Sequence, residues 1–344
     1  MTSLLLPTFF LITFGFFNLL GINQTSAINQ LFNFVLGFIV FFIIKKIGYR
    51  FFKNNSLFFY WFFVGLILLT FFIGISVKGS KRWINLYFTN FQSSEFFKVF
   101  FIIFLADFFS KVDKKVNDLK IFIQSFFYFI LPTFAIFKQP DLGNAIIVSL
   151  IYLTLLIFSG IPKKYLFCLF SAIIISLPVG WLSLKSYQKE RIISFFSPEV
   201  DSQGTAYNMT QAVITIGSGR FFGRGLGKGT QSQLLFLPEN QTDFAFASLV
   251  EQFGFFGGFL VIFLYFIMAV KLIKKIIKYY YQKSKEGIYN FLFNLGIFGY
   301  LIYQVFINIG MNLGLMPVAG VALPFISYGG SAFTSLMIGF ALLP

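Results

Sequence analysis

FLPENQTDFAFASLVEQFGFFGGFLVIFLYFIMAV, residues 236–270, decides the class of fold. From Phe244 to Val270 it is almost continuously apolar, and it is longer than the roughly 20 residues that carry a helix across a bilayer. Just before that run, Glu239 and Asp243 stand four residues apart in a chain with only 11% charged residues. Asp243 therefore sits at the edge of an apolar span, and its purpose there is the main question the sequence raises.

Nine further apolar runs near bilayer length occur, at about 4–22, 29–44, 56–75, 95–109, 121–137, 143–160, 165–183, 289–312 and 331–344. The 344 residues are 57% hydrophobic and include 56 Phe. Mean hydropathy is +0.81. A soluble domain needs far more polar surface than this. The expected fold is all-α: a polytopic integral membrane protein of about ten transmembrane helices, forming one domain over residues 1–344, with a long outer loop between the seventh and eighth. The first run lacks a basic n-region and an A-x-A site, so it reads as a retained helix rather than a signal peptide.

His is absent, which excludes an imidazole base or a His metal ligand. The one cysteine, Cys168, permits no intrachain disulfide. A net charge of +15 suggests nucleic acid in a soluble protein. Here short loops account for it: Lys45, Lys46, Arg50 and Lys53, then Lys111, Lys114, Lys115 and Lys120, then Lys163 and Lys164, then six lysines from Lys271 to Lys285. Alternate loops are poorer in cations. The positive-inside rule places the basic loops and both termini in the cytoplasm, and no nucleic-acid partner is expected. The opposite, outer face then holds residues 76–94, the short KQPDLG at 138–143, the long segment 184–243 and residues 313–330. Asp243 ends the long segment, so its carboxylate is expected at the outer surface.

Five blocks carry a resemblance: GSKRWI at 79–84 with FQSSEFFK at 91–98, QPDLGNA at 139–145, IGSGRFFGRGLGKGTQSQLLFLPENQTDFAF at 216–246, and NIGMNLGLMPVAGVALPFISYGGS at 308–331. In this order they resemble the SEDS family (shape, elongation, division and sporulation), and within it the branch that serves cell elongation. The resemblance implies a ten-helix fold and a peptidoglycan glycosyltransferase. Such an enzyme polymerises lipid II on the outer face of the membrane, alongside a class B penicillin-binding protein and the elongation machinery. It places the family's essential aspartate at Asp243 and the tryptophan of its RW block at Trp83, and it brings Ser327 and Tyr328 of SYGG into the site. This chain departs from the family pattern at Gln241, where His is usual, at Ser93-Ser94-Glu95, where Pro-Ser-Glu is usual, and at Arg220. The last helix stops at Pro344, where a basic tail is common.

The implied chemistry suits these residues. Lipid pyrophosphate leaves well once its charge is neutralised. One base for the acceptor hydroxyl and cations around the phosphates then suffice, without the second, protonated carboxyl that glycoside hydrolysis demands. Asp243 is the candidate base, and desolvation at a membrane edge would raise its pKa in the useful direction. Read from its neighbours alone, it is as well suited to capping the next helix, a job that Glu239 and Thr242 also fit. Arg82 and Trp83 read either as a sugar- and phosphate-binding pair or as an interfacial anchor. Glu95 and Lys98, at i and i+3, read either as a pair inside the protein or as one snorkelling outward. Arg191 and Lys228 are further clamp candidates, with Arg224. GSGRFFGRGLGKGT fails the Walker pattern and follows no strand, so its glycines are expected to serve tight turns. Pyrophosphate chemistry often uses Mg2+ or Mn2+. Asp141 with a second acid is one way to hold such an ion, but no acid cluster specifies a metal, and the cofactor stays open.

Two rival readings are a lipid II flippase and a non-catalytic scaffold for the penicillin-binding protein. The flippase would need charges deep in several spans. The scaffold would have no use for Asp243.

Overall fold

The computed structural model describes residues 2–77, 80–85, 90–112, 118–184, 189, 193, 195–196 and 205–344. Among these residues the chain forms thirteen helices and three short strands. In order they are α1 (Thr2–Ile22), α2 (Gln24–Ile47), α3 (Tyr49–Asn54), α4 (Ser56–Ile73), β1 (Ile75–Val77), β2 (Ser80–Asn85), β3 (Asn90–Phe91), α5 (Ser93–Ser110) and α6 (Asp118–Lys138). There follow α7 (Leu142–Phe158), α8 (Lys163–Ser183), α9 (Thr205–Ser218), α10 (Thr230–Gln233), α11 (Ala245–Tyr280), α12 (Lys285–Asn312) and α13 (Gly330–Ala341).

All ten apolar runs fall on helices, and the protein is a helical, polytopic membrane bundle. Among the described residues, six helices are long and apolar enough to cross a membrane: α1, α2, α4, α6, α11 and α12. The apolar helices α7 and α13 are shorter. Helix α5 is long enough but carries Glu95, Lys98 and Asp107, all of them buried inside the bundle. It is the central element. Phe97, Val99, Phe101, Ile102, Leu105 and Ala106 have no exposed surface. Around it pack α4, α7, α12 and α13.

Within this mostly helical fold, two features go beyond the apolar runs. Ile75–Val77, Ser80–Asn85 and Asn90–Phe91 form a small antiparallel sheet of order β1-β2-β3, with Ile75 paired to Trp83 and Ile84 to Phe91. And the long segment before Asp243 contains the 14-residue helix α9, which packs on α11. Its sequence, TAYNMTQAVITIGS, mixes polar and apolar residues and so gives no continuous run. Its buried face, Met209 and Ala212, joins Leu237, Phe244 and Met311 in a second small core.

Helix α11 spans 36 residues but is broken at Gly254, where φ is 74° and ψ −175°. A break inside an apolar helix frees backbone groups that lipid cannot satisfy. The glycine-rich segment satisfies them here. Arg224 N–H donates to Glu251 O (2.9 Å), Gly225 N–H to Gln252 O (3.1 Å), and Phe255 N–H to Arg220 O (2.9 Å). A Cβ at Gly223 would run into the Gln252 carbonyl, and one at Gly254 into the Gly223 nitrogen. The glycines thus let two backbones touch at the kink, rather than cradling a phosphate.

The lysine-bearing loops gather at one end. Tyr49 OH donates to Glu286 Oε1 (2.7 Å), Lys53 lies 4.5 Å over the Tyr289 ring, and Lys275 Nζ donates to Pro344 O (2.8 Å). At the opposite end, Gln92 N–H donates to Ser331 Oγ (3.0 Å) and Gly329 N–H to Gln30 Oε1 (3.1 Å). Asp243 belongs to that opposite end.

Candidate active site

Asp243 is half-buried, in the turn that precedes α11. Three successive carbonyls of that turn are held from outside it. Tyr328 N–H donates to Gln241 O (2.7 Å), Ser327 Oγ to Thr242 O (2.6 Å), and the Nδ2 atoms of Asn308 and Asn312 to Asp243 O (2.9 and 3.0 Å). Asn308 Nδ2 also donates to Val321 O (2.7 Å), which ties the 313–329 loop to the same turn. Within the turn, Glu239 has a φ of 53°, and its carboxylate accepts from Thr242 Oγ1 (2.9 Å).

The capping reading of Asp243 can be judged from α11 itself. The cap residue is Phe244, which offers no side-chain acceptor. The N–H of Ala247 in the first turn is taken by Asn312 Oδ1 at 3.0 Å. A cap thus comes from α12, and Glu239 and Thr242 bond each other.

Beside the carboxylate lies Gly320, with φ of 67°; a Cβ there would stand 3.7 Å from Asp243 Oδ2. On its other side the same loop meets α7, where a Cβ at Gly143 would run into the Ala319 carbonyl. Residues 319–321 therefore link the Asp243 turn to a second polar cluster built on Asp141.

Asp141 caps α7 and is fully buried. Its Oδ2 accepts from Gln92 Nε2 (2.8 Å), Asn144 Nδ2 (2.9 Å) and Ser94 Oγ (3.1 Å), and its Oδ1 lies 3.4 Å from Arg82 Nη1. The Arg82 guanidinium stacks 4.4 Å over the Trp83 ring, so the pair read from the sequence as anchor or binder is fixed in one geometry by a carboxylate 59 residues away. Glu95 and Lys98 do not snorkel. Lys98 has no exposed surface, bonds Glu95 Oε2 (2.9 Å) and Asn144 Oδ1 (2.7 Å), and lies 4.6 Å over the Tyr300 ring. Tyr300 OH donates to Glu95 Oε2 (3.1 Å) and pairs with Ser335 Oγ (2.8 Å). This network joins α5, α7, α12 and α13 behind the site.

Lys228 is exposed in the glycine-rich loop, next to Gly227, whose N–H donates to Gln252 Oε1 (3.0 Å), and apart from the residues that hold the Asp243 turn. Arg224 is also exposed and donates from Nε to Ser218 O (3.2 Å). Arg191 lies outside the described residues. Both oxygens of Asp141 are engaged by donors. Among the described residues no group of three or more Asp, Glu, Cys or His could hold an ion.

Sequence reading overlooked Asn308, Asn312, Gly320, Gln92 and Asn144. The local signal was the i, i+4 spacing of Asn308 and Asn312, which puts both amides on one face of α12, though Asn290 and Asn294 share that spacing nearer its start.

Fold and site together define a polytopic helical membrane protein with a constructed polar centre at the end of the bundle opposite its lysine-rich loops. The chain belongs to the FtsW/RodA/SpoVE family of cell cycle proteins, whose model matches residues 3–344. It is 35% identical to the peptidoglycan glycosyltransferase MrdB of Helicobacter pylori, over 98% of this chain and 88% of that one. It is 32% identical to the MrdB of Escherichia coli K12, over 90% and 82%. In fold it is similar to the rod shape determining protein RodA of Thermus thermophilus, with a TM-score of 0.71 over 99% of this chain and 94% of that one at 22% identity. A peptidoglycan synthase complex that coordinates polymerisation and crosslinking contains a chain matched at TM-score 0.83, over 100% and 96% at 23% identity.

Proposed function

We infer that this chain is a peptidoglycan glycosyltransferase that polymerises lipid II, with Asp243 as the base that takes the acceptor hydroxyl proton and undecaprenyl pyrophosphate as the leaving group. The observation that carries the reading is the Asp243 turn. Three consecutive carbonyls are pinned, and Asn312 also takes the Ala247 N–H of the helix that follows, so the carboxylate stands on a rigid support. A general base works best when its geometry is fixed before substrate arrives. Gly320 keeps side-chain bulk away from Asp243 Oδ2, the face an acceptor would approach.

In this reading Arg82, braced by Asp141 and Trp83, is the cation nearest in construction to a phosphate clamp, while the buried pair Glu95 and Lys98 positions the walls without touching substrate. No metal step is invoked. The gathering of the basic loops at one end supports cytoplasmic termini and an Asp243 site on the outer face of the inner membrane. The matched synthase complex supports a penicillin-binding partner that crosslinks the new strands.

The test is polymerisation of purified lipid II by the purified protein, unaltered beside Asp243→Asn, with and without that partner. The expected outcome is glycan product from the unaltered chain and a loss of at least about a hundredfold in the variant, the scale of general base catalysis. Equal rates from a folded Asp243→Asn protein would refute the assignment.

A further inference from the structure

Four acidic side chains are buried among the described residues: Glu95, Asp107, Asp141 and Glu251. The first three have a cation, in Lys98, Lys111 and Arg82 respectively. Glu251 has no ion pair among the described residues. It lies on α11 eight residues after Asp243 and has no exposed surface. Its partners are N–H and O–H groups. Gln231 N–H donates to Oε1 (2.8 Å), and Ser232 donates to Oε2 from both its N–H (3.0 Å) and its Oγ (2.6 Å). Gly229 passes so close that a Cβ there would stand 2.5 Å from the same Oε2. A buried carboxylate without a counter-ion is costly. An apolar residue would keep α11 helical at less cost, so the informative point is what the carboxylate holds.

From Glu251 the hydrogen bonds lead back to the Asp243 turn. Ser232 O accepts from Asn240 Nδ2 (2.8 Å), Gln231 O from Leu237 N–H (3.2 Å), and Asn240 O from Ser248 Oγ (2.8 Å). Ser248 and Glu251 are three apart on α11 and share a face. Glu251, Ser232, Asn240 and Ser248 therefore close a ring, and all four are buried. Asn240 stands three residues before Asp243. The carbonyls of residues 241–243 are held from α12 and from residues 327–328, and the stretch that leads into them is held through this ring.

We propose that Glu251 is a positioning residue for polymerisation: it fixes Asn240, and through Asn240 the upstream side of the Asp243 turn, as Asn308 and Asn312 fix the downstream side. The inference rests on the reading of Asp243 as the base. Glu251 does not itself meet substrate, since both of its oxygens are taken and it is closed inside the protein. The task needs a carboxylate, because two acceptor oxygens serve three donors. Glutamine brings one acceptor oxygen and an NH2 that would face an N–H group. The isosteric Glu251→Gln therefore loses the tie to Gln231 or to Ser232, whichever way its amide is turned.

Initial rates of lipid II polymerisation by the purified full-length protein, measured over a range of lipid II concentrations, test the assignment with Glu251→Gln, Asn240→Ala, the two combined, and Asp243→Asn. The expected result is a fall in kcat of about tenfold in each of the first two variants with KM changed by less than about twofold, the pattern of a displaced catalytic group with substrate binding intact. The combined variant should be no slower than the worse of the two, because both cut one route. A normal kcat in folded Glu251→Gln overturns the proposal. A normal kcat in Asn240→Ala overturns it independently, since that variant leaves Glu251 and its three donors in place. Losses that multiply in the combined variant also overturn it, because Glu251 then does not act through Asn240. Asp243→Asn separates the two readings. Full rate in that variant removes the base and this inference with it, whereas an inactive Asp243→Asn beside a normal Glu251→Gln overturns the positioning role alone.

Discussion

Asn312 clamps Asp243 from a helix 69 residues further on: its Nδ2 donates to the Asp243 carbonyl at 3.0 Å, while its Oδ1 accepts from Ala247 N–H, also at 3.0 Å. One amide thus fixes the backbone on which the carboxylate stands and the first turn of the helix behind it. Both jobs need an amide, since one calls for a donor and the other for an acceptor.

Asn312→Ala therefore removes both of these hydrogen bonds, together with those from Nδ2 to Asn308 O (2.8 Å) and Oδ1 (3.3 Å). A loss of about 1–3 kcal/mol in stability is expected, together with a fall in lipid II polymerisation of about ten- to a hundredfold as the base drifts. Asn312→Asp keeps the acceptor but loses the donor, so its thermal midpoint should recover more than its rate. A polymerisation rate that stays normal while the midpoint falls would show that the clamp serves only the fold.

Gly320 sits at a φ of 67° beside Asp243 Oδ2. Any larger residue there incurs backbone strain of about 1–3 kcal/mol. Gly320→Ala places its Cβ at ordinary contact distance and should lower the melting temperature with modest loss of rate. Gly320→Leu extends bulk over the carboxylate and should abolish polymerisation at a similar melting temperature. Comparing the two variants in the same assay separates strain from obstruction.

The backbone contact between the glycine-rich loop and the α11 kink makes a purely structural forecast. Gly223→Ala and Gly254→Ala each drive a methyl group into backbone across the contact, at positive φ in both cases. Each should cost more than Gly225→Ala, whose Cβ would meet only the flexible Lys228 side chain at 3.6 Å. Thermal unfolding in detergent reads the order directly.

Lys98 and Glu95 form a buried pair, with 0% and 7% of their side chains exposed. Lys98→Met leaves Glu95 charged and uncompensated, with an expected loss of about 3–5 kcal/mol. Adding Glu95→Gln removes the stranded charge and should restore a large part of that loss. If the double variant is no more stable than Lys98→Met, the pair is not the unit that matters.

The helices and their order could be read from the chain itself. An apolar run of bilayer length has to close its own backbone hydrogen bonds wherever it goes, so 244–270 and its nine companions are helical for reasons contained in each run. Lysines in alternate loops likewise sort the two ends of the bundle without reference to contacts. The position of Asp243 at the edge of a span was legible for the same reason. Its relation to capping was not, because the competing acceptor, Asn312, is supplied by another helix. The glycine-rich segment could be denied a nucleotide role from its spacing, but the kink it repairs at Gly254 is hidden inside an uninterrupted apolar run. Arg82 looked like an anchor or a clamp until Asp141 was brought against it, and Lys98 looked able to reach water until Asn144 and Tyr300 closed over it. Polar satisfaction in a membrane protein is settled between residues far apart in sequence. Hydropathy is a property of neighbours and fixes where helices run, but the partner of each buried polar group exists only once the helices have packed.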